Sequence, residues 1–180
     1  RLTGCGADNT AALAVSGEVP PGVSAVVESW NGYVWTEVND VNTARQDANV
    51  EGTSTAALFF GGGTPPGVGT IYANTELWNG TSWTEVNDLN TAREALAGVG
   101  TSTAALAFGG YDTAAAAATE SWNGTNWTNE NSLSVARQLL GGSGTSTSAL
   151  AFGGTPPQTG ATEEWDGTGF ITRTITTTSE

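Results

Sequence analysis

Four glutamates and three arginines recur in step along this chain of 180 residues. Glu28, Glu76, Glu120 and Glu163 each stand two residues before a tryptophan, and Arg45, Arg93 and Arg137 fall in the stretches between. Opposite charges repeated in this way imply one ion pair per repeat. The pair is read first as a strut, because a partly buried pair specifies geometry more than it adds stability. A ring of charged ligand contacts is the alternative. Other chemistry is sparse. There is no His, which removes imidazole acid–base work, His-based triads and His metal ligands. Glu163-Glu164 is a carboxylate pair without a defined cleft, a weak signal for glycoside hydrolysis. The lone Cys5 has no partner for an intrachain disulfide and reads as a small buried hydrophobe. The chain is therefore expected not to be an enzyme and to need no cofactor or catalytic metal.

Charge narrows the partners. The 18 acidic residues against 5 arginines give a net charge of −13. Phosphate recognition needs basic groups to release counterions, so no nucleic acid is expected. Anionic membrane surfaces are disfavoured for the same reason, and no apolar run approaches the roughly 18 residues of a membrane span. Solubility is the plainer reading of the acidity, and an acidic face for a cationic ligand or Ca²⁺ the sharper one.

The elements that carry these residues come from a repeat. Thr75-Glu76-Leu77-Trp78-Asn79-Gly80-Thr81-Ser82-Trp83-Thr84-Glu85-Val86 returns as Thr119-Glu120-Ser121-Trp122-Asn123-Gly124-Thr125-Asn126-Trp127-Thr128. It occurs earlier around Trp30 and Trp35, and a worn copy spans Glu163 to Phe170. The leading tryptophans lie at 30, 78, 122 and 165. A period of this length marks a repeat architecture in which each unit is one supersecondary element. The units run over about 1–44, 45–92, 93–136 and 137–180, and form a single array.

Within the unit at 93–136, Arg93 to Gly100 reads as a first strand, Ala104 to Gly110 as a second, and Thr119 to Trp122 as a third. Asn126-Trp127-Thr128 begins a fourth. Asn-Gly between strand-like runs signals a hairpin of the two-residue type. A four-residue loop also keeps Trp78, Trp83 and Glu76 on one face, since side chains alternate with period two. Two indoles per face need a neighbouring sheet, so Trp30, Trp35, Trp78, Trp83, Trp122, Trp127 and Trp165 are expected in the core. The double glycines Gly61-Gly62, Gly109-Gly110 and Gly153-Gly154, with Ser16-Gly17 in the first unit, close the second strand. They lack the pattern of a phosphate loop.

These features resemble kelch repeats. The double glycine ends the second strand and two spaced aromatics lie on the third and fourth. The resemblance implies an all-β, kelch-type β-propeller of about four four-stranded blades, or a segment of a larger one. Two departures stand out: Trp occupies the first aromatic position where that family more often has Tyr, and Phe170 replaces the second Trp of the last unit. Aligning Leu2 with Leu96 and Leu140 sets the first unit's arginine just upstream of Arg1, so either a piece of a longer array or a trimmed four-bladed ring is expected. The tail from Ile171 to Glu180 loses the Val-Asn-Asp-Leu-Asn phrase and reads as an array end. The phrase T-E-x-W-N-G-x-x-W-T-E-V-N-D-L-N-T-A-R is also similar to kelch-type arrays in virion and fibre proteins of aquatic tailed phages. That implies a virion or extracellular location, in a tail fibre or surface decoration that meets the host.

Strand alternation divides the loops between two faces. One, with Gly-Thr-Ser-Thr and Asn-Gly, is nearly constant. The other carries the loops at 18–27, 63–75, 111–119 and 155–162, which vary. Rigid scaffolds place binding residues in such loops, and proline lowers the entropy cost of holding a binding shape. Tyr72, Tyr111, Asp112, Pro65, Pro66, Pro156 and Pro157 are the candidate contacts, with Trp35 a lesser one. The expected partner is a cell-surface glycan or protein receptor, or other virion proteins, with a homo-oligomer among the expected states. A bacterial secreted or surface adhesin binding carbohydrate is the alternative.

Overall fold

A computed structural model describes residues 1–65, 69–158 and 160–173. The described chain is all β, in four antiparallel four-stranded sheets arranged as the blades of a β-propeller. Blade 1 holds β1 (Leu2–Asp8), β2 (Ala11–Val19), β3 (Gly22–Trp30) and β4 (Trp35–Val38). Blade 2 holds β5 (Asn49–Thr53), β6 (Ala56–Phe60), β7 (Thr75–Trp78) and β8 (Trp83–Glu85). Blade 3 holds β9 (Ala97–Gly100), β10 (Ala105–Phe108), β11 (Thr119–Trp122) and β12 (Trp127–Glu130). Blade 4 holds β13 (Gly141–Thr145), β14 (Ser148–Phe152), β15 (Thr162–Trp165) and β16 (Phe170–Arg173). Each sheet keeps its strands in chain order, and the first strands line the axis, β1 against β5, β5 against β9 and β9 against β13.

The Asn-Gly hairpin is a four-residue loop, not a two-residue one. Trp78 pairs directly with Trp83 and Trp122 with Trp127. The Asn side chain decides this: Asn79 Oδ1 accepts from the backbone N–H of Thr81 and of Ser82, both at 2.9 Å, and Gly80 follows at φ +92°. The paired indoles then meet at 5.2 Å between centroids for Trp78 and Trp83, and 5.4 Å for Trp122 and Trp127. Two further expectations need correction. Residues 18–27 are not a loop: β2 runs on to Val19 and β3 begins at Gly22, with Pro20-Pro21 as the turn. Val19, Val23, Val26 and Val27 favour that extension. Arg93 lies before its strand, which starts at Ala97, because Ala95 at φ +53° breaks the extended backbone between them.

The core forms between blades. Alternation along each second strand sends one pair of side chains to the preceding blade and one to the next. Ala57 and Phe59 join Leu13, Val15, Trp78 and Trp83 at the boundary of blades 1 and 2. Leu58 and Phe60 join Trp122 and Trp127 between blades 2 and 3. Leu106 and Phe108 join Trp165 between blades 3 and 4. Glycine makes room at two of these boundaries. A Cβ on Gly98 would lie 2.6 Å from the Phe60 ring, and one on Gly142 2.8 Å from Phe108. Between blades 1 and 2 the smaller Val15 shares its cluster with Val50 instead.

Candidate functional site

Each inter-blade link delivers one arginine into the next blade. Arg93 Nη1 donates to the carbonyls of Gly109 and Ala118, both at 2.7 Å, and Nη2 donates to Glu120 Oε1 at 2.9 Å. Arg137 repeats this on Gly153, Ala161 and Glu163, at 2.9, 3.0 and 2.7 Å. Arg45 donates through Nε to Gly61 O at 2.7 Å and through Nη1 to Glu76. The other carboxylate oxygen accepts a backbone N–H from the link: Asn42 on Glu76, Asn90 on Glu120, and Ser134 on Glu163. These side chains are buried. Burial draws the Arg45 and Arg93 guanidinium groups down, and the paired glutamate opposes it. A pair so enclosed has no surface to offer a ligand. It fastens both ends of the variable loop instead, since Gly109 O and Ala118 O flank 110–117. Glu28 differs: it is exposed, and no arginine reaches it among the described residues.

The double glycines serve the same clamp. Gly61 and Gly109 take φ of +67° and +64°, a region closed to most side chains, and a Cβ on either would strike the carbonyl of the next link's arginine at 2.7 Å. Ser16 adopts φ +50° in the first blade, and its hydroxyl donates to Ser24 O and accepts from Arg45 N–H.

The candidate loop contacts lie on one side of the propeller but do not converge into a single pocket. Tyr111 exchanges backbone hydrogen bonds with Glu94, and its side chain is half-buried. Tyr72 donates its N–H to Gly62 O and accepts from Arg93 N–H. Asp112 folds back on its own loop, accepting from the N–H groups of Thr113 and Ala114, which hold its carboxyl below the usual range. Pro65 is half-buried, Pro156 and Pro157 are exposed, and Pro66 lies outside the described residues. Trp35 is exposed at the outer side of blade 1.

An open recess of about 410 Å³ lies on the axis, and the repeat pattern gives little warning of it. Asp47, Glu51, Asn49 and Gln46 line it, together with Arg1. Arg1 Nη1 lies 2.9 Å from Asp47 Oδ2. Burial pushes the Glu51 carboxyl up to about 7, and the Asn49 amide, 3.3 Å away, opposes the shift. Burial likewise pushes the Cys5 thiol up to about 12, which leaves it unreactive at neutral pH. The one cue in the sequence is that Glu51 takes the place held by Val99 and Ser143 in the later units. Tyr33 is a further exposed aromatic that the repeat pattern does not single out. It stands almost fully exposed in the first hairpin, on the constant face. No cluster of three or more His, Cys, Asp or Glu is placed to hold a metal ion among the described residues.

No protein-family model matches this sequence. No curated protein matches it.

Proposed function

We propose that this chain is a kelch-type recognition and structural module of a phage virion, in a tail fibre or surface decoration, and that it contacts the host surface without catalysing a reaction. One observation carries the recognition reading. A buried Arg–Glu clamp fixes the ends of the loop in each of blades 2 to 4, while the loops between the clamps differ in length and, beyond a Thr-Pro-Pro start shared by blades 2 and 4, in sequence. Fixed ends with free content are the arrangement that places function in loops on a rigid scaffold. The half-buried Tyr72 and Tyr111 give those loops apolar faces of the kind that stack on sugar rings. The virion assignment is supported by the repeat phrase.

Incubating labelled chain with intact bacterial cells and with purified surface polysaccharides tests the reading. Saturable binding without turnover of the glycan supports it. Release of shortened glycan would replace it with a hydrolase. Binding by a chain whose gene lies among cell-surface genes rather than virion genes would move it to a bacterial adhesin.

A further inference from the structure

The propeller has two open ends, and each carries half of the interface that joins its own blades. Leu58 and Phe60, and Leu106 and Phe108, are fully buried against the next blade, whereas Leu150 and Phe152 at the same places in blade 4 are 42% exposed. At the other end Trp35 is 44% exposed, while its counterparts Trp83 and Trp127 are 6% and 5% exposed. Among the described residues the hydrophobic clusters join blades 1 to 2, 2 to 3 and 3 to 4, and none joins 4 to 1. We propose that a second copy of this chain covers both faces, with the outer face of blade 4 docking on the outer face of blade 1 of the next copy.

The fit between the two faces is specific. Inside the chain, a forward-pointing Phe meets a glycine: Phe60 lies over Gly98 and Phe108 over Gly142. A forward-pointing Val15 is met by Val50. Blade 4 presents Phe152, whose ring rests on Gly141 of its own blade and would turn forward on docking, and blade 1 presents Gly4 at the position of Gly98 and Gly142, so the two ends belong to the same Phe–Gly class. The polar contact also matches. Trp127 Nε1 donates to Thr75 Oγ1 across a boundary. Thr162 and Trp35 hold those two places on the open faces. Docking would bury exposed leucine, phenylalanine and tryptophan that otherwise face water. The contact is heterologous, so it extends into a filament or closes into a ring of copies. Glu28 is the one mismatched group. It would enter the interface without the arginine that each of Glu76, Glu120 and Glu163 receives, and an unpaired buried carboxylate opposes association.

The test uses sedimentation velocity with light scattering on the 180-residue chain over a wide concentration range. Association is expected to rise with concentration. Leu150→Asp blocks one face and Trp35→Asp the other, both at sites open to solvent. Phe152→Asp serves as a second block on the blade 4 face, and far-UV circular dichroism melts check each fold. Each blocked variant alone is expected to stay monomeric. An equimolar mixture of Leu150→Asp with Trp35→Asp is expected to give a species of two chains and no more, because one intact face survives on each. Glu28→Gln is expected to lower the dissociation constant several-fold. A wild-type chain monomeric at every concentration would overturn the proposal. So would a mixture of blocked variants that fails to pair, or a Glu28→Gln chain that associates no more tightly.

Discussion

Trp127 Nε1 donates a hydrogen bond to Thr75 Oγ1, 3.0 Å away, across the boundary between blades 2 and 3. The bond is lost at the boundaries on either side, for complementary reasons. Trp83 Nε1 is buried without a partner because blade 1 carries Val27 where blade 2 carries Thr75. Thr119 Oγ1 is buried without a partner because blade 4 carries Phe170 where blade 3 carries Trp127. The same site therefore shows a completed pair and each half alone.

Restoring either half should stabilise the chain. Val27→Thr gives Trp83 an acceptor, and Phe170→Trp gives Thr119 a donor. Each is expected to add about 1 kcal/mol, the usual net value of a buried hydrogen bond. Urea unfolding followed by tryptophan fluorescence measures it for Val27→Thr, and circular dichroism for Phe170→Trp. A Val27→Thr chain no more stable than its parent would mean that the hydroxyl does not reach Trp83.

The Arg–Glu clamp predicts a strong asymmetry between single and double changes. Arg93→Ala leaves Glu120 buried and uncompensated, at a cost of about 3–5 kcal/mol. Arg93→Ala combined with Glu120→Ala should cost less than the sum of the two single changes. The double-mutant cycle by chemical denaturation checks this, and additivity would contradict a coupled pair.

Glycine at the blade boundaries should be replaceable only when the phenylalanine is also reduced. Gly142→Ala sets a Cβ 2.8 Å from the Phe108 ring. Overpacking of this kind costs about 1–3 kcal/mol. Phe108→Val in the same chain should recover part of that loss, since Val15 and Val50 already share a boundary in this way. Thermal unfolding of the single and double variants tests it, and no recovery would show that the crowding arises elsewhere.

Glu51 makes stability depend on pH. Its folded-state carboxyl titrates at about 7 against an ordinary 4.5, so the folded chain holds the proton more tightly than the unfolded one. That contribution is fully present below about 4.5 and is lost as pH rises through about 7, by about 1–3 kcal/mol. Glu51→Gln should abolish this loss. It should raise the melting temperature at pH 8 and leave it nearly unchanged at pH 4. Equal effects at both values would mean that Glu51 ionises freely in the folded chain.

Much of the fold was legible because the repeat states each feature several times. Trp78, Asn79, Gly80 and Trp83 carry a third strand, a turn and a fourth strand in one phrase, and four copies fix the blade. The details that escaped belong to single residues whose role is set across a boundary. The pattern fits a two-residue or a four-residue hairpin, and the choice falls to Asn79, whose side chain caps two N–H groups and so takes two more residues into the loop. Residues 18–27 read as a loop because Pro20-Pro21 signals a break, but the valines around that turn extend the hairpin. Glu51 shows as unusual only once β5 is seen to line the axis. Tyr111 and Asp112 could be placed on the variable side, but not the turn of Asp112 onto its own backbone. Part of that carboxylate is spent on loop shape.

The most direct test of surface recognition compares two tyrosines on opposite sides of the propeller. Tyr111 lies in a variable loop, and Tyr33 stands in the first hairpin on the constant face. Binding of labelled wild-type, Tyr111→Ala and Tyr33→Ala chains to intact host cells and their purified surface glycans would be titrated side by side, with circular dichroism confirming the fold. The account predicts saturable wild-type binding, weakened at least tenfold in Tyr111→Ala and unchanged in Tyr33→Ala. Binding that survives Tyr111→Ala and is lost in Tyr33→Ala would contradict it and place recognition on the constant face.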